Sequence, residues 1–142
     1  MHPLPPELTE ARTVRPHVLV VDDDEDLRAW IKSKLKKAGY VVTLADSGDA
    51  ALLLLMLNTY DALVIDVLMP GTSGLDTIRA WRRLRPDFVL PVLFLSSKAN
   101  KNDIAAGLEA GGDDYLTKPV SAEVLLAKLQ AAIRARRQLL AR

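Results

Sequence analysis

The chain has 142 residues, 49% hydrophobic and 26% charged, which suits one soluble globular domain with a proper core and is too short for two ordinary ones. Its net charge of +1 gives no molecule-wide field to recruit nucleic acid or an anionic membrane, so neither is expected as a partner. The absence of cysteine removes disulfides, thiolate chemistry and Cys-based zinc sites, and His2 and His17 are too few for a histidine-built metal site.

Residues 1–15 are Pro-rich and without periodicity, which predicts a flexible tail with no signal-peptide pattern. The first compact apolar run, His17 to Val21, leads into Asp22-Asp23-Asp24-Glu25-Asp26 and a helix over about 25–38, stopped by Gly39. A second run, Tyr40 to Leu44, precedes a helix over about 48–58 with Ser47 as its N-cap. That helix is apolar nearly all round from Ala50 to Leu57, a run far too short to span a bilayer. Ala51, Leu52 and Leu55 are expected to face the core, leaving Leu53, Met56 or Leu57 exposed. Cover by the tail or scattered exposure is the plain reading of that face, and a partner or self-association surface the sharper one.

The third run, Ala62 to Ile65, ends in Asp66, followed by a turn-rich loop with Pro70, Gly71 and Gly74 and a helix over about 74–84. The fourth, Val92 to Leu95, ends in Ser96-Ser97 before a helix over about 99–110, stopped by Gly111-Gly112. The short fifth, Tyr115-Leu116, runs into Thr117-Lys118-Pro119. A last helix over about 121–140 starts at a Ser121 cap with Glu123 in its first turn. On it Leu125, Leu129, Ala132, Ile133 and Leu140 nearly share a stripe that Arg136 interrupts, and the basic residues read as a solvated face. Five strand–helix pairs in strict alternation imply an α/β domain: a doubly wound parallel sheet with right-handed crossovers and helices on both faces. Such a sheet binds its ligand outside the carboxyl ends of the strands.

The strand ends supply the chemistry. Three acids leaving the first strand repel one another unless a hard cation such as Mg²⁺ gathers them, although Asp24 to Asp26 also suit an ordinary helix start. Asp66 adds a further metal oxygen and is also a carboxylate able to attack phosphorus. Ser96 and Lys118 arrive from separate strands as a hydroxyl and an ammonium, both able to hold phosphoryl oxygens. Each alone has a plain alternative, a helix cap or a surface lysine. Their joint placement points to a phosphoryl site.

These residues closely resemble the receiver domain of two-component response regulators. The resemblance runs through Val18-Leu19-Val20-Val21-Asp22-Asp23, Leu63-Val64-Ile65-Asp66 with Met69-Pro70 and Gly74, Pro91 to Ser96, and Gly111 to Pro119. It implies a flavodoxin-like five-stranded parallel sheet of order 2-1-3-4-5 with five helices. It implies Asp66 as phosphoacceptor, attacking a phosphohistidine on a sensor histidine kinase or histidine phosphotransfer protein. Mg²⁺ would be held by Asp23 directly, by Asp22 through water, by Asp66 and by the backbone carbonyl of Leu68. Ser96 would hydrogen-bond the phosphoryl group, Lys118 would neutralise it, a cis Lys118–Pro119 bond would aim that lysine inward, and Tyr115 would be the rotating partner of Ser96. Phosphorylation would switch the surface of the fourth helix, fifth strand and fifth helix.

The same resemblance sets the expected boundaries: a receiver over 16–135 and a C-terminal extension of the last helix over 136–142. The chain would be a cytoplasmic signalling domain that stands alone or is cut from a larger regulator or hybrid kinase. It would not be an enzyme in its own right, though it would promote its own aspartyl phosphorylation and dephosphorylation. A homodimer is possible through the fourth helix, fifth strand and fifth helix or through the extended last helix; Val124 stands where relatives that use the former often have an acid. Leu68 and Lys98, two residues after Asp66 and Ser96, lie where the family tunes dephosphorylation, and Leu68 cannot orient a water. Gly112 replaces a frequent Ala and is expected to loosen its turn. The competing readings are a phosphorylation-independent scaffold and an aspartyl-nucleophile phosphatase; the latter usually has an acid at the position of Leu68.

Overall fold

The computed structural model describes residues 15–97 and 101–141. The expected tail, apart from Arg15, and Lys98 lie outside the described residues. Five strands, β1 (His17–Val21), β2 (Val41–Ala45), β3 (Ala62–Asp66), β4 (Val92–Ser96) and β5 (Asp114–Thr117), form one parallel sheet in the order β2-β1-β3-β4-β5. The helices between and after them are α1 (Glu25–Lys37), α2 (Gly48–Leu57), α3 (Gly74–Leu84), α4 (Lys101–Glu109) and α5 (Ala122–Leu140). The fold is the flavodoxin-like one expected; β1 has its expected bounds, and the other strands differ by one residue at one or both ends. Among the described residues no helix is long and apolar enough to cross a membrane.

The central strands are buried on both faces because helices cover both, so their sequences are continuous apolar runs. Alternate side chains divide between two cores. Leu19, Val21, Leu63, Ile65, Val92 and Phe94 pack with Ala51, Leu55, Ile78 and Trp81 of α2 and α3. Val18, Val20, Val64, Leu93 and Leu95 pack with Ile31 and Leu35 of α1 and Leu125, Leu129 and Ile133 of α5. Leu53, Met56 and Leu57 are exposed, as the pattern of α2 implied.

Local chemistry sets the helix ends. Asp24, Ser47, Ser73 and Ser121 cap α1, α2, α3 and α5, each side chain accepting from backbone N–H groups of the first turn. The Ser73 cap was not anticipated. Gly39 follows α1 at φ 96° and Gly111 follows α4 at φ 108°, the left-handed backbone that glycine permits.

Three expectations are corrected. Gly112 does not leave a loose turn: a Cβ there would overlap the Phe94 ring and press on the Gly107 carbonyl, so its hydrogen is what lets α4 approach the sheet. Leu140 leaves the apolar stripe of α5 and is 60% exposed. Arg136 is not simply part of a solvated face. Its guanidinium donates to the Val89 carbonyl at 2.8 Å and to Asp61 Oδ1 at 3.0 Å, with its charge over the Phe88 ring.

Candidate functional site

The carboxyl ends of β1, β3 and β5 bring Asp22, Asp23, Asp66 and Lys118 to one place. Asp22 and Asp66 are buried because each ends a strand enclosed on both faces, whereas Asp23, one residue further along, is exposed. Carboxylate oxygens of the three acids lie within 4.8 Å of one another. Lys118 Nζ reaches between the two buried acids, 2.9 Å from Asp22 Oδ2 and 3.0 Å from Asp66 Oδ2. The Lys118–Pro119 peptide bond is cis.

Backbone groups hold the carboxylates. Asp22 Oδ1 accepts from the Asp24 amide at 2.9 Å, and Asp66 Oδ1 accepts from the Leu68 amide at 3.3 Å. The Leu68 side chain points away and is 55% exposed. Burial raises the Asp66 pKa above the ordinary carboxylate range; the Lys118 hydrogen bond opposes that rise and the Asp22 charge adds to it. Burial disfavours the charge on Lys118, but its bonds to Asp22 and Asp66 and their charges outweigh that, leaving its pKa above the ordinary lysine value.

The donor set fits a hard divalent cation. Three carboxylates converge, and the wholly buried Asp22 Oδ2 lies 2.9 Å from the Lys118 ammonium. Two buried acids share one ammonium and an exposed third lies beside them, so a cation with oxygen preference would relieve the remaining repulsion.

Ser96 ends β4 and is buried beside the cluster; its carbonyl accepts from the Lys118 amide at 2.8 Å. Tyr115 pairs with Phe94 in the β4–β5 register. The Tyr115 ring lies against the bare backbone of Gly107 in α4, where a Cβ would come within 3.5 Å of it.

Two further residues shape the site. Arg28 of α1 donates from Nη1 to the Asp22 carbonyl at 2.6 Å, bracing the acidic strand end. Gly74, expected in a turn-rich loop that lets backbone approach the site, opens α3 so close to β3 that a Cβ would overlap the Asp66 carbonyl oxygen. A glycine at a helix start shortly after a strand-end acid is the signal for such an approach. An arginine about one turn into a helix gives no such signal.

The model of the response regulator receiver domain family matches residues 18–130. The response regulator MprA of Mycobacterium sp. (strain KMS) is 44% identical over 117 residues, 82% of this chain and 50% of that protein. An uncharacterized transcriptional regulatory protein, YrkP of Bacillus subtilis, is 41% identical over 82% of this chain and 49% of its own length. The chain thus spans about half the length of the curated relatives it matches. Among solved structures, the receiver domain of the Francisella response regulator 1452 superposes with a TM-score of 0.80 at 36% identity, covering 85% of this chain and 98% of that one. The chemotaxis protein CheY4 of Vibrio cholerae gives 0.79 at 30% identity over 84% and 99%. With the family model covering most of its length, the chain belongs to the response regulator receiver domain family of two-component signalling.

Proposed function

We propose that Asp66 is the phosphoacceptor and that a sensor histidine kinase or a histidine phosphotransfer protein is the donor. The observation that supports this best is the carboxylate of Asp66 at the end of β3, buried, ion-paired to Lys118 and within reach of Asp22 and Asp23. An oxygen of Asp66 attacks the phosphorus of a phosphohistidine; the P–N bond breaks and the imidazole leaves with the electron pair. Asp23, Asp66 and the Leu68 carbonyl, with Asp22 through water, would hold Mg²⁺, which would supply charge neutralisation of the phosphoryl oxygens. Lys118 turns from the carboxylates to the incoming phosphoryl group, and the Ser96 hydroxyl donates to it.

The group transferred adds up to about two negative charges. Ser96 moves towards it and Tyr115 fills the space left, changing the α4–β5–α5 surface by a population shift. We assign the receiver to residues 16–135 and the later turns of α5 to an extension held down by Arg136. The setting is a cytoplasmic relay.

The test is intact mass after incubation with Mg²⁺ and a small phosphoryl donor such as acetyl phosphate. One phosphoryl adduct is expected, lost on chelation and absent from Asp66→Asn. An adduct that persists in the variant would reject the assignment. The adduct should also be long-lived, because Leu68 has no group to orient water; decay within seconds in the native protein would contradict this.

A further inference from the structure

β2 ends the sheet, and among the described residues no strand lies beyond it. Its backbone alternates. The Val41 amide donates to the Pro16 carbonyl and the Ala45 carbonyl accepts from the Asp22 amide, so Val41, Thr43 and Ala45 turn their polar groups to β1. Val42 and Leu44 therefore present their N–H and C=O groups at the outer edge, a template for another strand.

The two flanks of this edge differ in chemistry. On the α1 side, Lys32, Lys36 and Lys37 border a groove of about 520 Å³ floored by Leu44. Among the described residues none of these three lysines has a carboxylate partner. On the α2 side, Ala45, Ala50, Leu53 and Leu54 border a groove of about 500 Å³. There Leu53 is 60% exposed, and α2 also exposes Met56 and Leu57. A strand laid along β2 would alternate its side chains between these flanks.

We propose that the outer edge of β2 docks an extended segment of a partner protein as a sixth strand. Its acidic side chains face Lys32, Lys36 and Lys37, and its apolar side chains face Ala50, Leu53 and Leu54. Charge selects this occupant over a second copy of the chain. A closed two-fold pairing of β2 with itself is antiparallel and keeps each α1 on the same side of the joined sheet. It would set two lysine rows against one another, which an acidic strand instead neutralises.

The probe is a synthetic peptide of about eight residues, a usual strand length, alternating valine and glutamate, with a valine–lysine peptide as control. It is added to the ¹⁵N-labelled full chain. Binding should shift the signals of Val42 and Leu44 and slow their amide exchange about tenfold. The double variant Lys32→Glu/Lys36→Glu should weaken it about tenfold while Asp66 is still phosphorylated, which shows the variant folded. Leu53→Glu should weaken it independently of salt. Equal binding of the lysine peptide, shifts confined to other elements, or no binding at millimolar peptide would overturn the proposal. So would a concentration-dependent dimer that protects the same two amides, which would assign the edge to a second copy.

Discussion

At Asp66 the surroundings work against the charge that the proposed chemistry needs. Burial is the largest influence on its pKa and raises it above the ordinary value of 3.8, with Lys118 opposing and Asp22 reinforcing the rise. A raised pKa means that the folded chain binds this proton more tightly than the unfolded chain, so the linked stability falls as pH rises through the window above 3.8. Asp66→Asn has no such proton. Its stability relative to the parent should therefore be greatest at neutral pH and diminish as the pH is lowered into that window. Urea denaturation of both proteins at neutral and mildly acidic pH measures the difference, and a gap that widens on acidification would contradict the argument. Asp22, Asp23, Asp66, Ser96 and Lys118 could all be picked out in the sequence because each sits at or just beyond the end of an apolar run. Their roles are a separate matter, for the phosphorylation assay to decide. The Arg28 bond to the Asp22 carbonyl was not legible, because it depends on how far α1 is rotated about its axis.

Among the elements, α4 shows how a close fit can resemble looseness. It buries Gly107 and no large side chain among its described residues, and its seat is formed by Phe94, Gly107 and Gly112. Phe94 occupies the space that a Cβ on Gly112 would need. Gly112→Ala should therefore overpack the site and cost about 1–3 kcal/mol, measured by chemical denaturation. Phe94→Leu in the same chain should recover part of that loss, giving a favourable coupling in the double-mutant cycle. Simple additivity would show that the two positions do not compete for space. Helix number and most caps were readable from local signals, and the strand order followed only from the family resemblance. A glycine paired with a bulky residue eighteen positions earlier was not, since nothing in the local pattern announces that contact.

For the whole molecule, a cation held by the acidic cluster would couple its binding to folding. A cation that binds only the folded chain stabilises it by RT ln(1 + [L]/Kd), about 1.4 kcal/mol at tenfold excess over Kd. Mg²⁺ should thus raise Tm, and a chelator should reverse the rise. Lys118→Met leaves Asp22 and Asp66 without their shared ammonium, so that variant should start less stable and gain more from Mg²⁺ than the parent. An equal gain in both would argue that lysine and metal do not compensate the same charges. Calorimetry with and without Mg²⁺ distinguishes these cases.

Arg136 has a geometric consequence of its own. It joins α5 to the carbonyl of Val89 and to the carboxylate of Asp61, groups that precede β4 and β3. Two bonds to separate points, with a ring beneath the charge, fix both the tilt of the helix and its angle about its own axis. Arg136 is therefore a survey mark, tying the coordinates of the final turns to those of the sheet. A spectroscopic probe placed at Gln138, exposed in the last turn of the helix, would inherit that frame and report a change of bearing between α5 and the strands as a change in its own orientation.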